Sequence, residues 1–207
     1  MSGRFISFEG GEGSGKSTQA HRLAEAMALE GHDIVLTREP GGTEGAEAIR
    51  SLLVSGDPGR WTAWSEACLV NAARADHVER VIRPALARGA TVICDRYIDS
   101  TRAYQGAGKG LSDDALRALH AQTTGDLWPD ITLVLTLPQG KGLARARVRP
   151  ESASEARFEA HEAAFHARVH AFFEALPKAE PARCRAVNAQ GSISSVAARV
   201  RAALAPC

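Results

Sequence analysis

Cysteine is scarce in this chain and badly spaced for either a staple or a metal. The four residues, Cys68, Cys94, Cys184 and Cys207, form no C-x-x-C pair. That excludes a zinc ribbon and a disulfide framework, and it points to free thiols in a reducing compartment. No apolar run approaches the length of a membrane-spanning helix, and residues 1–10 lack the apolar stretch of a signal peptide. The expectation is a cytoplasmic protein with no membrane attachment. An excess of charge is missing as well. With 25 basic and 24 acidic residues the net charge is +1, which gives no basis for broad electrostatic docking on nucleic acid. Internal repeats and low-complexity linkers are absent, so 207 residues read as one domain with a single large core.

What is present is concentrated in a few stretches. The first is Gly10-Gly11-Glu12-Gly13-Ser14-Gly15-Lys16-Ser17-Thr18, directly after the apolar run Phe5-Ile6-Ser7-Phe8. It matches G-x-x-x-x-G-K-[ST], a phosphate-binding loop between a strand and a helix. Glycines let the backbone curl so that successive N–H groups point at phosphate oxygens, and the helix N-terminus adds its positive dipole end. Lys16 can reach the β- and γ-phosphates of a nucleoside triphosphate, and the Ser17 hydroxyl can ligate Mg²⁺.

Hydrophobic patterning places the rest. Apolar runs predict strands over 5–8, 34–36, 91–94, 131–137 and, more weakly, 185–187. Helical spacing predicts helices from Lys16 to a cap at Gly31, from a Thr43 cap to 54, over 62–88, from a Ser112 cap to 124, from 154 through Leu176, and over 193–204. The 105–110 segment is glycine-rich. Strands alternating with helices predict an α/β fold with a parallel sheet covered on both faces. Ligands in such folds bind at the strand C-terminal ends, where the phosphate loop, Arg38 and Asp95 all fall. They are expected to converge on one cleft.

Two further stretches narrow the chemistry. In Thr37-Arg38-Glu39-Pro40-Gly41-Gly42-Thr43, Pro40 keeps Glu39 extended and the glycines permit a tight path, so the Arg38 guanidinium can grip a second phosphate. In Cys94-Asp95-Arg96-Tyr97-Ile98-Asp99-Ser100-Thr101-Arg102-Ala103-Tyr104-Gln105, Asp95 ends an apolar strand, where a carboxylate of the Mg²⁺ shell belongs. Arg96 can face the transferring phosphoryl group, while Ser100, Tyr104 and Gln105 offer a hydroxyl, a ring and an amide to a nucleoside. A GTP-dependent switch is disfavoured because no Asn-Lys-x-Asp base-reading element occurs. A kinase of the same fold acting on another nucleotide, and a nucleotide-binding regulator, stay open on these residues alone.

Taken together, these stretches resemble the bacterial thymidylate kinases of the P-loop nucleoside-monophosphate kinase group. Phe8-Glu9-Gly10, the phosphate loop, Arg38–Thr43 with Glu47 and Ile49-Arg50, Ala72-Ala73-Arg74, the Asp95–Gln105 stretch and an arginine-rich segment carry the resemblance. It implies a P-loop NTPase-type α/β sandwich, a five-stranded parallel sheet with helices on both faces, closed by an arginine-rich lid over about 141–157. It also implies phosphoryl transfer from ATP, with Mg²⁺, to dTMP, and a homodimer through the long helices. By resemblance Arg38 and Arg96 hold the dTMP phosphate, and Glu12 holds the 3′-hydroxyl side of the sugar, directly or through the metal shell. Arg74, with Gln105 or Ser100, meets the thymine edge, and Tyr104 packs on the deoxyribose. The phosphate loop here has no arginine of its own, so Arg145, Arg147, Arg149 and Arg157 are the candidates to supply that charge. Arg145 is expected on ATP, and Arg149 and Arg157 in catalysis. Three positions depart from the family pattern. Val70 stands where an aromatic ring usually faces thymine, leaving Trp61 or Trp64 as substitutes; the lid reads Ala156-Arg157-Phe158-Glu159; and Thr136 replaces an acid at the end of the fourth strand.

Overall fold

A computed structural model describes residues 3–138, 142 and 162–205. Five parallel strands form one sheet: β1 (Arg4–Glu9), β2 (Ile34–Arg38), β3 (Thr91–Asp95), β4 (Ile131–Thr136) and β5 (Cys184–Asn188), in the order β2-β3-β1-β4-β5. All five strands expected from the apolar runs are present. The register sets Phe8 beside Asp95 and Arg38 beside Asp95, so the C-terminal ends of β2, β3 and β1 lie side by side.

The alternation of side chains along each strand decides the two faces. Ile6 and Phe8 of β1, Ile93 of β3 and Leu133 and Leu135 of β4 pack against Ala20, Leu23, Val196 and Val200. Those four belong to α1 (Lys16–Leu29) and to the last helix, α8 (Ile193–Ala203). Phe5, Val92 and Cys94 point the other way, into a layer with Val78, Ile82, Tyr97 and Ile98. On that second face Val134 also meets Phe165, Val169, Phe173 and Leu176 of α7 (Ala163–Ala179). A buried Phe such as Phe5 or Phe8 typically contributes about 3–5 kcal/mol over Ala. The other α-helices among the described residues are α2 (Glu44–Val54), α3 (Ala63–His77), α4 (Arg83–Ala87), α5 (Ile98–Thr101) and α6 (Asp113–Thr124).

Local departures from the sequence reading have physical causes. The helix expected over 62–88 is α3 and α4 joined by a wide π turn, Val78–Ile82. Pro84 comes two residues after Ile82, and its missing N–H leaves a gap in the i→i−4 ladder there. The glycine-rich 105–110 segment is largely helical: α5 runs on as a π turn over Arg102–Gly108. Tertiary packing accounts for it. A Cβ at Gly108 would sit 2.4 Å from the Phe165 ring, so the glycine lets α7 close on this helix. Thr43 caps α2 as expected, its hydroxyl accepting from Ala46 N at 3.1 Å. Ser112 holds the N-cap position of α6 but makes no side-chain cap; Asp113 and Asp114 in the first turn supply the charge that favours a helix N-terminus. The helix expected from 154 is described from Ala163, and 154–161 lie outside the described residues. No described helix is long and apolar enough to cross a membrane.

Candidate active site

The phosphate loop leaves β1 and feeds α1, its backbone turning through positive φ at Gly10, Gly13 and Gly15. Lys16 is buried and curls back over the loop, donating to Gly11 O at 2.9 Å. Ser17, one residue on, donates to Asp95 Oδ2 at 2.5 Å. The other carboxylate oxygen, Asp95 Oδ1, is buried without a hydrogen-bond partner among the described residues. A hydroxyl beside an orphaned carboxylate oxygen, at the mouth of a phosphate loop, is a donor set that suits a hard, oxygen-seeking cation.

Arg96 follows Asp95 and bridges the loop to the second site. Its guanidinium takes both oxygens of Glu12, at 2.9 and 3.0 Å, while the other terminal nitrogen reaches Ser100 Oγ at 3.2 Å and Tyr104 Oη at 3.4 Å. Tyr104 in turn donates to Glu12 at 2.6 Å. Burial works to raise the Glu12 carboxyl, but the Arg96 and Lys16 charges outweigh it and hold it down to about 2. Arg96 itself has φ 70, a left-handed conformation that costs a non-glycine residue about 1–3 kcal/mol. Neighbouring contacts hold it there. Arg96 N donates to Phe8 O at 2.9 Å, and the Glu9 carboxylate accepts from Tyr97 N at 2.8 Å, Ser100 N at 3.1 Å and Ser100 Oγ at 2.6 Å. Complete burial, and then the Asp99 charge, push Glu9 up to about 7 against those donors.

Beside Arg96 opens a cleft lined by Glu12, Arg96, Tyr97, Ser100, Thr101, Tyr104 and Gln105 together with Glu39, Pro40, Arg50, Val54, Val70 and Arg74. Arg74 is almost wholly buried, 1% exposed. Its Nε donates to Glu39 Oε2 at 2.7 Å and one terminal nitrogen donates to Thr101 Oγ1 at 2.8 Å. The second terminal nitrogen, NH1, has no partner among the described residues. A buried donor left unpaired costs about 1–3 kcal/mol, so this wall of the cleft is built to receive an acceptor.

A phosphate loop for one ligand, a guanidinium bridge, and a second cleft ending in a waiting donor form a frame for two nucleotides. The comparisons agree with that frame. The family model described as thymidylate kinase matches residues 8–200. The thymidylate kinase of Rhizorhabdus wittichii is 52% identical over 99% of this chain and 98% of its own, and that of Caulobacter vibrioides 51% over 96% and 94%. The crystal structure of thymidylate kinase from Ehrlichia chaffeensis superposes with a TM-score of 0.79 at 34% identity, covering 99% of both chains. The chain belongs to the thymidylate kinase family.

Within a thymidylate kinase fold the expected site residues divide into three groups. Glu12, Val70, Arg74, Arg96, Ser100, Tyr104 and Gln105 all line the one cleft. Val70 faces it with 8% exposure, whereas Trp61 is turned to Leu52 O at 3.2 Å and Trp64 is largely exposed; neither tryptophan lines the cleft. Arg38 stands at the end of β2, but one of its terminal nitrogens is held by Glu47 at 2.9 and 3.0 Å, and it is not part of the cleft wall. Arg145, Arg147, Arg149 and Arg157 lie outside the described residues. Thr136 ends β4 with its hydroxyl on Val187 O at 3.4 Å.

Sequence reasoning gave no role of their own to Glu9, Glu39, Arg50 or Thr101, although Phe8-Glu9-Gly10 and Ile49-Arg50 are among the stretches that carry the resemblance. Glu9 and Glu39 did carry one usable signal: each is an acid at a strand C-terminal end, where neighbouring strands and helices crowd out water. A carboxylate there must find donors.

Proposed function

We infer that this protein transfers the γ-phosphoryl group of ATP to the phosphate of dTMP, giving dTDP and ADP. The observation that carries the reading is the placing of the phosphate loop and the Arg74-walled cleft on either side of Arg96. An oxygen of the dTMP phosphate attacks the γ-phosphorus while the bond from that phosphorus to the β–γ bridging oxygen breaks, and ADP leaves with the electron pair. A monophosphate is largely a dianion at neutral pH (second pKa about 6), so it is its own nucleophile and needs no general base. Positioning and charge neutralisation carry the rate.

The residues take separate parts in that scheme. Gly10 to Thr18 cradle the ATP phosphates, with Lys16 on the β- and γ-oxygens. Arg96 holds the acceptor phosphate near the transferring group, joined by Arg38 once its guanidinium leaves Glu47. Glu12 and Tyr104 border the deoxyribose. Arg74, with Gln105 or Ser100, meets the thymine edge, and Val70 supports its face. Ser17 and Asp95 would hold Mg²⁺, which when bound neutralises the phosphate charge that develops in the transfer. No cluster of three or more metal-ligating side chains exists among the described residues, so such an ion would take its remaining ligands from phosphate and water, as Mg²⁺ commonly does. Because the phosphate loop lacks an arginine, Arg145 is assigned to ATP and Arg149 and Arg157 to the transferring group. We assign the protein to the cytoplasm as a homodimer through the long helices, a reading supported by the exposed Trp64 and Leu52 on α3 and α2. A coupled assay of ADP release against dTMP, dUMP, dCMP, dAMP and dGMP tests the activity. The highest kcat/KM is expected with dTMP; a higher value with any other monophosphate, or no turnover, overturns the reading.

A further inference from the structure

A buried string of polar side chains runs from behind the cleft into its wall: Thr37 and His77 lie outside the lining, and Glu39, Arg74 and Thr101 belong to it. It begins at Thr37 on β2, whose hydroxyl lies 2.7 Å from His77 Nε2. His77 Nδ1 lies 3.0 Å from Glu39 Oε1, and Glu39 Oε2 accepts from Arg74 Nε at 2.7 Å. Arg74 then reaches Thr101 Oγ1 at 2.8 Å. His77 and Glu39 are buried like Arg74, at 0% and 3% exposure. Since Glu39 is acceptor-only when ionised, His77 Nδ1 carries the proton and Nε2 is left to face Thr37. Burial opposes the Glu39 charge, yet Arg74 and His77 together bring the carboxyl below its usual range.

The string holds the guanidinium at three points. Glu39 takes Nε, Thr101 takes one terminal nitrogen, and the Tyr97 ring lies 5.1 Å from the guanidinium carbon. With Nε and one terminal nitrogen engaged, the planar group is held against rotation, and NH1 is the nitrogen left without a partner among the described residues on a side chain that lines the cleft. The string also accounts for a glycine. A Cβ at Gly42, where φ is +89, would lie 2.6 Å from His77 Cδ2 and 2.7 Å from Thr37 Oγ1; any side chain there displaces the ring from Glu39.

We propose that Glu39 and His77, backed by Thr37, are positioning residues that hold Arg74 so that its free N–H faces the acceptor base. They thereby set the preference for a base presenting a carbonyl where cytosine presents an amine. The proposal rests on the dTMP kinase reading and adds to it the residues that act through Arg74. A fixed donor pairs with a carbonyl oxygen and is left unpaired, against another donor, by an amine. A guanidinium free to swing loses that distinction. Thr37, Glu39 and His77 should therefore act on binding of the acceptor base and leave the ATP side alone.

The test uses the full-length enzyme with ATP and either dTMP or dCMP. Glu39→Gln should raise KM for dTMP about tenfold, keep kcat within about threefold, leave KM for ATP unchanged, and cut the dTMP:dCMP ratio of kcat/KM about tenfold. Thr37→Val, nearly isosteric and outside the cleft wall, should move the same two quantities about two- to threefold, and Thr37→Ser should restore them. This pair keeps the test open should Glu39→Gln fold poorly. In an Arg74→Lys background, adding Glu39→Gln should change KM for dTMP less than twofold, because the group it positions is gone. The proposal is overturned by an undiminished Glu39→Gln effect in that background. It is equally overturned by kcat or KM for ATP moving with KM for dTMP, by an unchanged dTMP:dCMP ratio, or by Thr37→Ser behaving like Thr37→Val. Wild-type enzyme that fails to phosphorylate dTMP would instead defeat the kinase reading itself.

Discussion

Val70→Phe separates a residue that supports the base from one that merely fills the core. Val70 sits on α3 with 8% exposure, and it lines the same cleft as Tyr104, Val54 and Pro40. In the proposed complex the thymine face rests on this branched aliphatic surface. A phenyl ring stacked there should add about 0.5–1.5 kcal/mol over plain apolar contact, which lowers KM for dTMP roughly two- to tenfold. Overpacking opposes the gain, at about 1–3 kcal/mol where a core has no room to relax. For a chain of this size that corresponds to a fall of roughly 2–12 °C in Tm. Steady-state kinetics at saturating ATP and thermal unfolding of the same preparation distinguish the two effects. A lower KM with Tm held within about 2 °C is expected. A lower Tm with KM unchanged would refute the reasoning and make Val70 structural.

Lys16→Ala should fold normally and lose on the order of 10²-fold or more in kcat, because it strips a buried cation from the β- and γ-phosphates; near-normal kcat defeats the phosphate-loop assignment. Arg96→Ala and Arg38→Ala should each raise KM for dTMP far more than KM for ATP, each losing a charge-assisted contact of about 1.5–3 kcal/mol. Equal effects on both substrates would mean that the two phosphates are assigned to the wrong sites. Glu9 predicts a pH effect on stability. Its carboxyl is raised from 4.5 to about 7 in the fold, so between those values the native state holds a proton that the unfolded chain releases. Its contribution is therefore fully present below pH 4.5 and lost as pH rises through 7, on the order of 3 kcal/mol in all. His120, lowered by burial to about 4, slopes the opposite way over part of that window, so the comparison is between wild type and Glu9→Gln. From pH 5 to 7.5 the wild-type Tm should fall relative to that of Glu9→Gln; parallel curves would refute the assignment.

Much of this protein is local, and local features are legible in a sequence. The five strands declare themselves as apolar runs because a parallel sheet covered on both faces buries every side chain of its central strands. The phosphate loop is equally local: its glycines, its lysine and its hydroxyl act within one turn of chain, so their order along the sequence is their order in space. Asp95-Arg96 at the end of β3 was legible for the same reason, since strand ends in an α/β fold face the ligand. The helical path of the glycine-rich 105–110 segment is not legible in composition, which says nothing of Phe165, the ring that meets Gly108 from about sixty residues away. What only the tertiary structure decided are the partners of charge. That Arg96 is spent on Glu12, that Arg38 turns to Glu47, and that Asp99 is buried against Arg183 and Arg102 at 2.7 and 2.8 Å depends on which chain segments meet. So does the N–H of Arg74 that has no partner among the described residues: Glu39, just past β2, and Tyr97 and Thr101, both on the α5 segment, hold the other sides of that group. An ion pair has no period and no spacing along the chain; it is defined by distance and by the exclusion of water, and both arise only when the layers close.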